Sequence, residues 1–337
     1  MIRAVPPVES PLAEPFRIGA VEIPNRVVLA PMAGLTTSAY RRHLKTHGAG
    51  LVVTEMVSAQ GLLHHNVRTG EYLVFAEEER PLAVQLFGGA PEVMAKAAEA
   101  VLCGPMVPDL LDINMGCPVG KVVKTGAGAA LLADPERAEA VAAAVVRVAS
   151  QRRVPVTVKL RSGTRPGDEV AVSLAPRLEA AGVEALGLHP RAASEYYRGS
   201  ADHSVTAAVA RSVTIPVMAS GEVNSVAGAL AIVETTGATA VMVARGAAGN
   251  PWLVGALLSG RSAARPSLPV VIEDLRALLG RVVEERGQER AARWIRKALN
   301  WYLRPSGVPA PLIEALRALP TAGEVDAALA ELGERAG

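Results

Sequence analysis

The chain has 337 residues, half of them hydrophobic, and a formal net charge of +2. That length allows about two domains and a core that needs no disulfide or metal support. Every apolar run is cut by a charge, proline or glycine well short of the ~18 residues of a membrane span, and so small a net charge does not by itself announce a nucleic-acid partner. The two cysteines, Cys103 and Cys117, give no disulfide framework, and the opening MIRAVPPVESPLAEP has prolines and acids where a secretion signal would be apolar. A cytoplasmic protein without a membrane or metal requirement is expected, a monomer being favoured. Its first 15 residues are expected along the surface or partly disordered.

In chain order, short apolar runs recur at Val27 to Met32, Leu51 to Glu55, Leu82 to Leu86, Leu110 to Asn114, Val156 to Leu160, Ala185 to His189, Pro216 to Ser220 and Ala240 to Ala244. Helical patterns stand between them, among others at Pro91 to Leu102, Pro135 to Ala149, Val170 to Ala181 and Ser225 to Thr235. Continuous apolar strands alternating with helices imply a parallel sheet, and this many units favours an α/β (β/α)₈ TIM barrel over an open doubly wound sheet. The barrel should occupy residues 1–258. Residues 259–269 read as a linker, and residues 270–337 carry only helical periodicity, a small all-α domain.

Barrels of this kind carry their chemistry at the C-terminal ends of the strands. Here those ends are Pro31-Met32-Ala33-Gly34, Thr54-Glu55-Met56, Gln85, Asn114 to Pro118, Lys159 and Arg161, His189 and Arg191, Ser220-Gly221-Glu222 and Ala244-Arg245-Gly246. Such a polar ring is costly to desolvate without a polar ligand. Glycine turns after strands seven and eight, with helices starting near Ser225 and Asn250, suit a phosphate, and Arg245 adds a charged donor. FMN fits the remainder. Gln85 and Lys159 would reach the ring carbonyls and nitrogen over an apolar floor of Pro31 and Met32. Cys117 follows a strand within a glycine-bounded loop facing the mouth. A thiol in water has a pKa of about 8.5, so a cysteine there can act as a general acid near neutrality. Cys103, late in a helix, reads as a buried structural thiol.

The segments APMAGLT, VVTEM, VQLFGG, DINMGCPVGKVVKTGAGAALL, VTVKLRSG, LHPRAASEYYRGSADH and VMVARGAAGNPW resemble the motif series of the tRNA-dihydrouridine synthases, the bacterial B type above all, from about Phe16 to Tyr302. The resemblance implies that Pro31, Met32, Ala33, Gln85, Lys159, Ser220, Gly221, Glu222, Ala244 and Arg245 bind flavin, and that Cys117 is the catalytic acid. Asn114, His189 and Arg191 would line the flavin and uridine pocket. Lys121 and Lys124 would follow the reactive loop on the substrate side, and Tyr197, Gly199, Ala201 and Asp202 continue the pattern. The implied reaction is reduction of FMN by NADPH (or NADH), then hydride delivery to C6 of a tRNA uridine, with a proton from Cys117 to C5. The base must leave its stack to react. No Gly-x-Gly-x-x-Gly turn follows a strand, so the nicotinamide is a transient visitor.

Two other readings share these residues. One is a flavin barrel acting on a small pyrimidine, like a dihydroorotate or dihydropyrimidine dehydrogenase; the other is a flavin-free lyase using Lys159 as a Schiff-base amine. A binding protein that has lost catalysis is a third, and Cys117 argues against it. The stretch from Arg286 to Arg304 favours RNA. It holds Arg286, Arg290, Arg293, Arg296, Lys297 and Arg304 against the single acid Glu289. On a helix from about Glu289, Arg290, Arg293, Lys297 and Arg304 form one stripe, and Trp294, Ile295, Ala298, Trp301 and Tyr302 turn mostly the other way. Arg290, Arg293 and Lys297 are therefore expected to track tRNA phosphates.

Overall fold

The alternation of apolar strands and helices produces a closed barrel. The computed structural model describes residues 10–64, 66–262 and 264–335. Its eight barrel strands, in chain order, are Val27–Leu29, Leu51–Val53, Leu82–Phe87, Leu110–Met115, Val156–Arg161, Ala185–His189, Val217–Ser220 and Ala240–Val243. All pair in parallel, and the eighth pairs with the first, so the barrel has no open edge. A short strand, Val57–Ser58, extends the pairing beside the third.

The two-residue period of a strand sorts its side chains into two cores. Val28, Ala30, Leu51, Val53, Ala83, Leu110, Ala185, Met218, Ala240 and Met242 pack together inside the barrel. Val27, Leu29, Val52 and Val84 face the surrounding helices. Phe16, Ile18 and Ile23 join the inner cluster from an antiparallel hairpin, Phe16–Ile18 with Val21–Ile23. The lower lumen is thus a packed apolar core, and polar side chains begin at the Asp112–Thr157 pair beneath the C-terminal mouth. Residues 10–15 lie along the outside of the barrel as expected, with Pro11, Ala13, Glu14 and Pro15 exposed and Leu12 buried as the anchor; residues 1–9 lie outside the described residues.

Most predicted helices appear within a residue: Pro91–Leu102, Pro135–Ser150, Val170–Ala180 and Val226–Thr236. Asp134 and Ser225 cap two of them, each accepting from the backbone N–H three residues on. The helix placed near Asn250 starts at Trp252, after a 3-10 turn at Arg245–Ala247. Cys103 is exposed and not buried, because its helix ends at Leu102; Arg152 Nη2 donates to its sulfur at 3.2 Å.

Beyond the barrel lie helices Leu268–Arg286, Gln288–Leu303, Ala310–Ala318 and Ala322–Glu334, the first beginning inside the stretch read as linker. That stretch is fastened: Arg265 Nη2 donates to the carbonyls of Gly249 and Tyr302 at 3.0 and 2.6 Å. The helical region docks on the Ser38–Thr46 helix of the barrel. His43 and His47, four residues apart, point one way there. Their Nε2 atoms lie 3.0 and 2.8 Å from the two carboxylate oxygens of Asp274, and Tyr302 Oη is 3.2 Å from His43 Nε2. Burial alone would raise the Asp274 pKa, but these histidine hydrogen bonds hold it well below the usual carboxylate range. Burial also holds His43 below its ordinary value. Among the described residues no helix is long and apolar enough to cross a membrane.

Candidate active site

Strand register decides which side chains meet at the mouth. Gln85 stands opposite Asp112, Asp112 opposite Thr157, Asn114 opposite Lys159, and Arg161 opposite His189. These strand ends open into a cavity of about 810 Å³, within the range of cofactor sites. Every expected cofactor position lines it: Pro31, Met32, Ala33, Gln85, Asn114, Lys159, His189, Ser220, Gly221, Glu222, Ala244 and Arg245. Cys117 and Arg191 line it too.

The cavity wall is held by a chain of hydrogen bonds. Thr157 Oγ1 and Gln85 Nε2 each donate to Asp112, both at 2.5 Å. Asn114 Nδ2 donates to Gln85 Oε1 at 2.9 Å, and Asn114 Oδ1 accepts from the backbone N–H groups of Gly116 and Cys117 at 3.2 and 2.9 Å. Burial pushes Asp112 up to about 6, against the Thr157 and Gln85 hydrogen bonds and the Lys159 charge, which pull it down. The Asn114 amide has a second N–H with only Met56 Sδ at 4.0 Å, so it remains free to meet a ligand carbonyl.

Positive charge dominates the cavity. Lys159, Arg161, Arg191 and Arg245 all line it, and among the described residues the one carboxylate paired with them is Glu222, whose Oε1 lies 2.5 Å from Arg191 Nη2. Burial brings Lys159 down to about 8, with Arg161 pushing the same way. His189 falls far below its ordinary value, first by burial and then by those four cations. Arg191 Nη1 donates to His189 Nε2 at 3.2 Å, which requires the lone pair there and agrees with a neutral ring. Cationic groups in a partly desolvated cavity are poorly matched without an anionic ligand.

The reactive loop is fixed at both ends. Cys117 N–H is held by Asn114, and Cys117 carbonyl accepts from Ala129 N at 3.0 Å. Close packing behind it requires Gly128: at φ +61°, a Cβ there would sit 2.7 Å from the Cys117 carbonyl oxygen. Cys117 keeps partial exposure toward the mouth. After strand seven, Gly221 at φ +108° lies so near His189 that a Cβ would come within 3.1 Å of the ring. The Arg245–Ala247 turn opens onto the cavity through Ala244, Arg245 and Gly246, with Ala247 N–H donating to the Ala244 carbonyl at 3.1 Å.

The remaining expected substrate contacts lie outside the cavity. Lys121 and Lys124 are exposed around the short helix Gly120–Val123 that follows Cys117. Arg293 is exposed, and Arg290 is exposed with Glu71 at 3.9 Å. The stripe keeps its helical spacing: the helix runs to Leu303, and Arg304, its C-cap, has right-handed helical dihedrals and donates its N–H to the Asn300 carbonyl, while Arg286 closes the preceding helix beside Glu285 at 3.0 Å. Lys297 is no free phosphate contact: its ammonium donates to the Gly34 carbonyl and lies 4.6 Å from the Trp294 ring centre. Gly34 N–H in turn donates to buried Glu55 at 2.6 Å. The acids that balance this helix come from the barrel, where the helix's own sequence does not show them.

Several residues lining or supporting the cavity carry weight that the sequence reading did not give them. Asp112 shares a strand face with Asn114, two residues away, and that spacing is the signal that marks it. Tyr197 lies at the centre of a cluster, with Arg245 and Arg161 at 4.7 and 5.4 Å from its ring centre and the His189 ring stacked at 6.2 Å. Trp301 reaches the cavity from the helical region; sequence spacing alone does not reveal this.

Comparison with known proteins agrees with this geometry. The family model described as dihydrouridine synthase (Dus) matches residues 28–331. The chain is 36% identical over 291 residues to tRNA-dihydrouridine synthase B of Pseudomonas aeruginosa, covering 85% of this chain and 86% of that protein. It is 37% identical over 310 residues to probable tRNA-dihydrouridine synthase 1 of Synechocystis sp., covering 90% and 85%. Among solved structures, morphinone reductase superposes with a TM-score of 0.52 at 15% identity, covering 78% of this chain and 93% of that one. The old yellow enzyme from Trypanosoma cruzi gives 0.55 at 12% identity, covering 73% and 91%. At such identities these two speak for the fold alone. The match across most of the barrel and the helical region, together with the relatives' identity over most of their length, places the chain in the dihydrouridine synthase family, as an oxidoreductase.

Proposed function

We propose that the protein reduces the C5=C6 bond of uridines in tRNA to 5,6-dihydrouridine, with FMN in the barrel mouth and NADPH as the reductant. The observation that carries this reading is the cavity itself: four cationic side chains converge on a space of about 810 Å³ with a thiol at its rim. The residues fit a flavin mononucleotide. The Arg245 guanidinium, on the Arg245–Ala247 turn that opens onto the cavity, would hold the phosphate. Gln85, Asn114 and Lys159 would meet the polar edge of the ring, while Pro31 and Met32 would support its apolar face. Bound there, FMN supplies the hydride that a side chain cannot.

The chain's own residues do the rest. Lys159 in its charged form stabilises negative charge on the ring edge. Neutral His189 through Nδ1–H, and the one Arg191 Nη1–H not already given to His189, Arg198, Gly199 or Glu222, would offer donors to uracil carbonyls. Cys117, held by Asn114 and Gly128, gives the proton to C5. Exposed Lys121, Lys124, Arg290 and Arg293 would meet tRNA phosphates around the mouth. The P. aeruginosa relative's name speaks for a tRNA substrate over a free pyrimidine. The test is a flavin assay: the purified protein should carry FMN, be bleached by NADPH without oxygen, and regain its colour on addition of unmodified tRNA but not of free uridine. A preparation that neither carries nor takes up FMN would overturn the reading.

A further inference from the structure

The hydrogen-bond chain behind the cavity has two ends of fixed polarity. At one end, the backbone N–H groups of Gly116 and Cys117 can only donate, so Asn114 must turn its oxygen to them and its NH₂ to Gln85. At the other, the Asp112 carboxylate oxygens accept from Thr157 Oγ1 and Gln85 Nε2, so Gln85 turns its NH₂ to Asp112 and its oxygen to Asn114. Both ends demand the same orientation of both amides. An amide left to itself would flip at little cost; here a flip of either would set donor against donor or acceptor against acceptor inside the barrel wall.

We infer that Asp112 is a positioning residue for the reaction: through Gln85 and Asn114 its carboxylate fixes both the donor pattern facing the cofactor and the loop that carries Cys117. Asp112 lies behind the wall and does not line the cavity. It is buried, and its carboxylate oxygens are taken by Gln85 and by Thr157. Gln85 is itself anchored by its backbone, whose N–H donates to Thr54 Oγ1 at 3.0 Å, so only its amide plane has freedom to turn. A purely structural carboxylate would brace its strand and nothing else. This one lies two residues from Asn114 on the same strand and reaches it through a neighbouring strand. The inference rests on the reading of Cys117 as the proton donor, but its effect on the loop does not depend on turnover.

The test compares Asp112→Leu with Asp112→Asn. The asparagine can still accept from Gln85 with its oxygen while its NH₂ donates to Thr157 Oγ1, so it should restore the wild-type orientation. The leucine cannot. Alkylation of Cys117 by iodoacetamide, followed by peptide mass spectrometry in protein stripped of flavin, reports loop order directly. Asp112→Leu should raise its rate about five- to tenfold, the weight of a hydrogen-bond anchor, and slow tRNA-driven flavin reoxidation by a similar factor; Asp112→Asn should stay within about threefold of wild type. If Asp112→Leu does not fold, the pair Asp112→Leu with Thr157→Val removes the Thr157–Asp112 hydrogen bond together with both its partners, leaves Gln85 and Asn114 in place, and should show the same faster alkylation. Folded leucine or paired variants with wild-type alkylation would overturn the inference. Failure of the wild-type enzyme to reoxidise with tRNA would instead count against the proposed function, leaving the alkylation result to stand alone.

Discussion

The barrel mouth and the Gln288–Leu303 helix make an instructive pair. At the mouth, residues as far apart in the chain as Pro31 and Arg245 line one cavity as expected, because a strand's side chains alternate and the register of each strand is locked to its neighbours. On the helix, local spacing groups the cations equally well, yet their surroundings differ from expectation: Lys297 is spent on Gly34, and Arg290 looks toward Glu71. A strand end in a barrel has its environment set by the barrel. A helix face has its environment set by whatever it docks against, which its own sequence does not contain.

The largest expected effect tests the mouth. Cys117→Ala should slow flavin reoxidation by tRNA by about 10² or more, the usual weight of a lost general acid, while reduction by NADPH stays near normal. Stopped-flow absorbance separates the two half-reactions, and an unchanged reoxidation rate would remove Cys117 from the role of acid.

The docking of the helical region comes next. Asp274→Ala leaves His43, His47 and Tyr302 without their shared acceptor and should cost about 1–3 kcal/mol, read as a lower Tm and faster proteolysis near residue 265. The same clasp gives a pH dependence. Both His43 and Asp274 have folded pKa values below their ordinary ones, so the unfolded chain binds more protons. The His43 contribution is lost as pH falls below about 6.5 and the Asp274 contribution only below about 3.9, their ordinary values. A Tm that rises on acidification would contradict the assignment.

Lys159 sets a smaller effect in the other direction. Its folded pKa of about 8 means that the charge facing the ligand disappears as pH rises through that value. FMN affinity of the flavin-free protein should begin to fall above about pH 8, and Lys159→Met should bind less tightly and lose this limb. Titration by quenching of flavin fluorescence decides it. For the unliganded protein the sign is opposite, since a depressed lysine favours the folded state as pH rises toward its ordinary value of about 10.4.

The smallest effect sharpens the comparison directly. Replacing Arg290 and Arg293 by Gln should lower the slope of log affinity for tRNA against log salt by about 1–2 with FMN content unchanged. Lys297→Gln should instead loosen the loop at Gly34 with little change in that slope. Equal slopes for the two variants would mean that Lys297 reaches the RNA after all.

Much of the site was legible because apolar runs locate strands and the strand ends then name the mouth. Cys117, Gln85, Lys159 and His189 were found in this way. The hairpin Phe16–Ile23 was not, since strands of three residues carry too little alternation to register, and its role as a plug depends on the closed barrel above it. Asp112 was passed over because an acid within an apolar strand acquires its meaning from Gln85 and Thr157 across two interstrand gaps. Trp301 and Glu55 likewise depend on how the helical region meets the barrel, a tertiary contact with no sequence period.

The central claim is that this cavity reduces a uridine held in tRNA. Its most direct test is to incubate unmodified tRNA with the purified protein, FMN and NADPH, digest the product to nucleosides and read them by mass spectrometry. The account predicts a nucleoside heavier than uridine by two hydrogens, formed at discrete positions and absent with Cys117→Ala at matched times. Oxidation of NADPH with no such nucleoside in any tRNA, while a free pyrimidine is reduced, would contradict it.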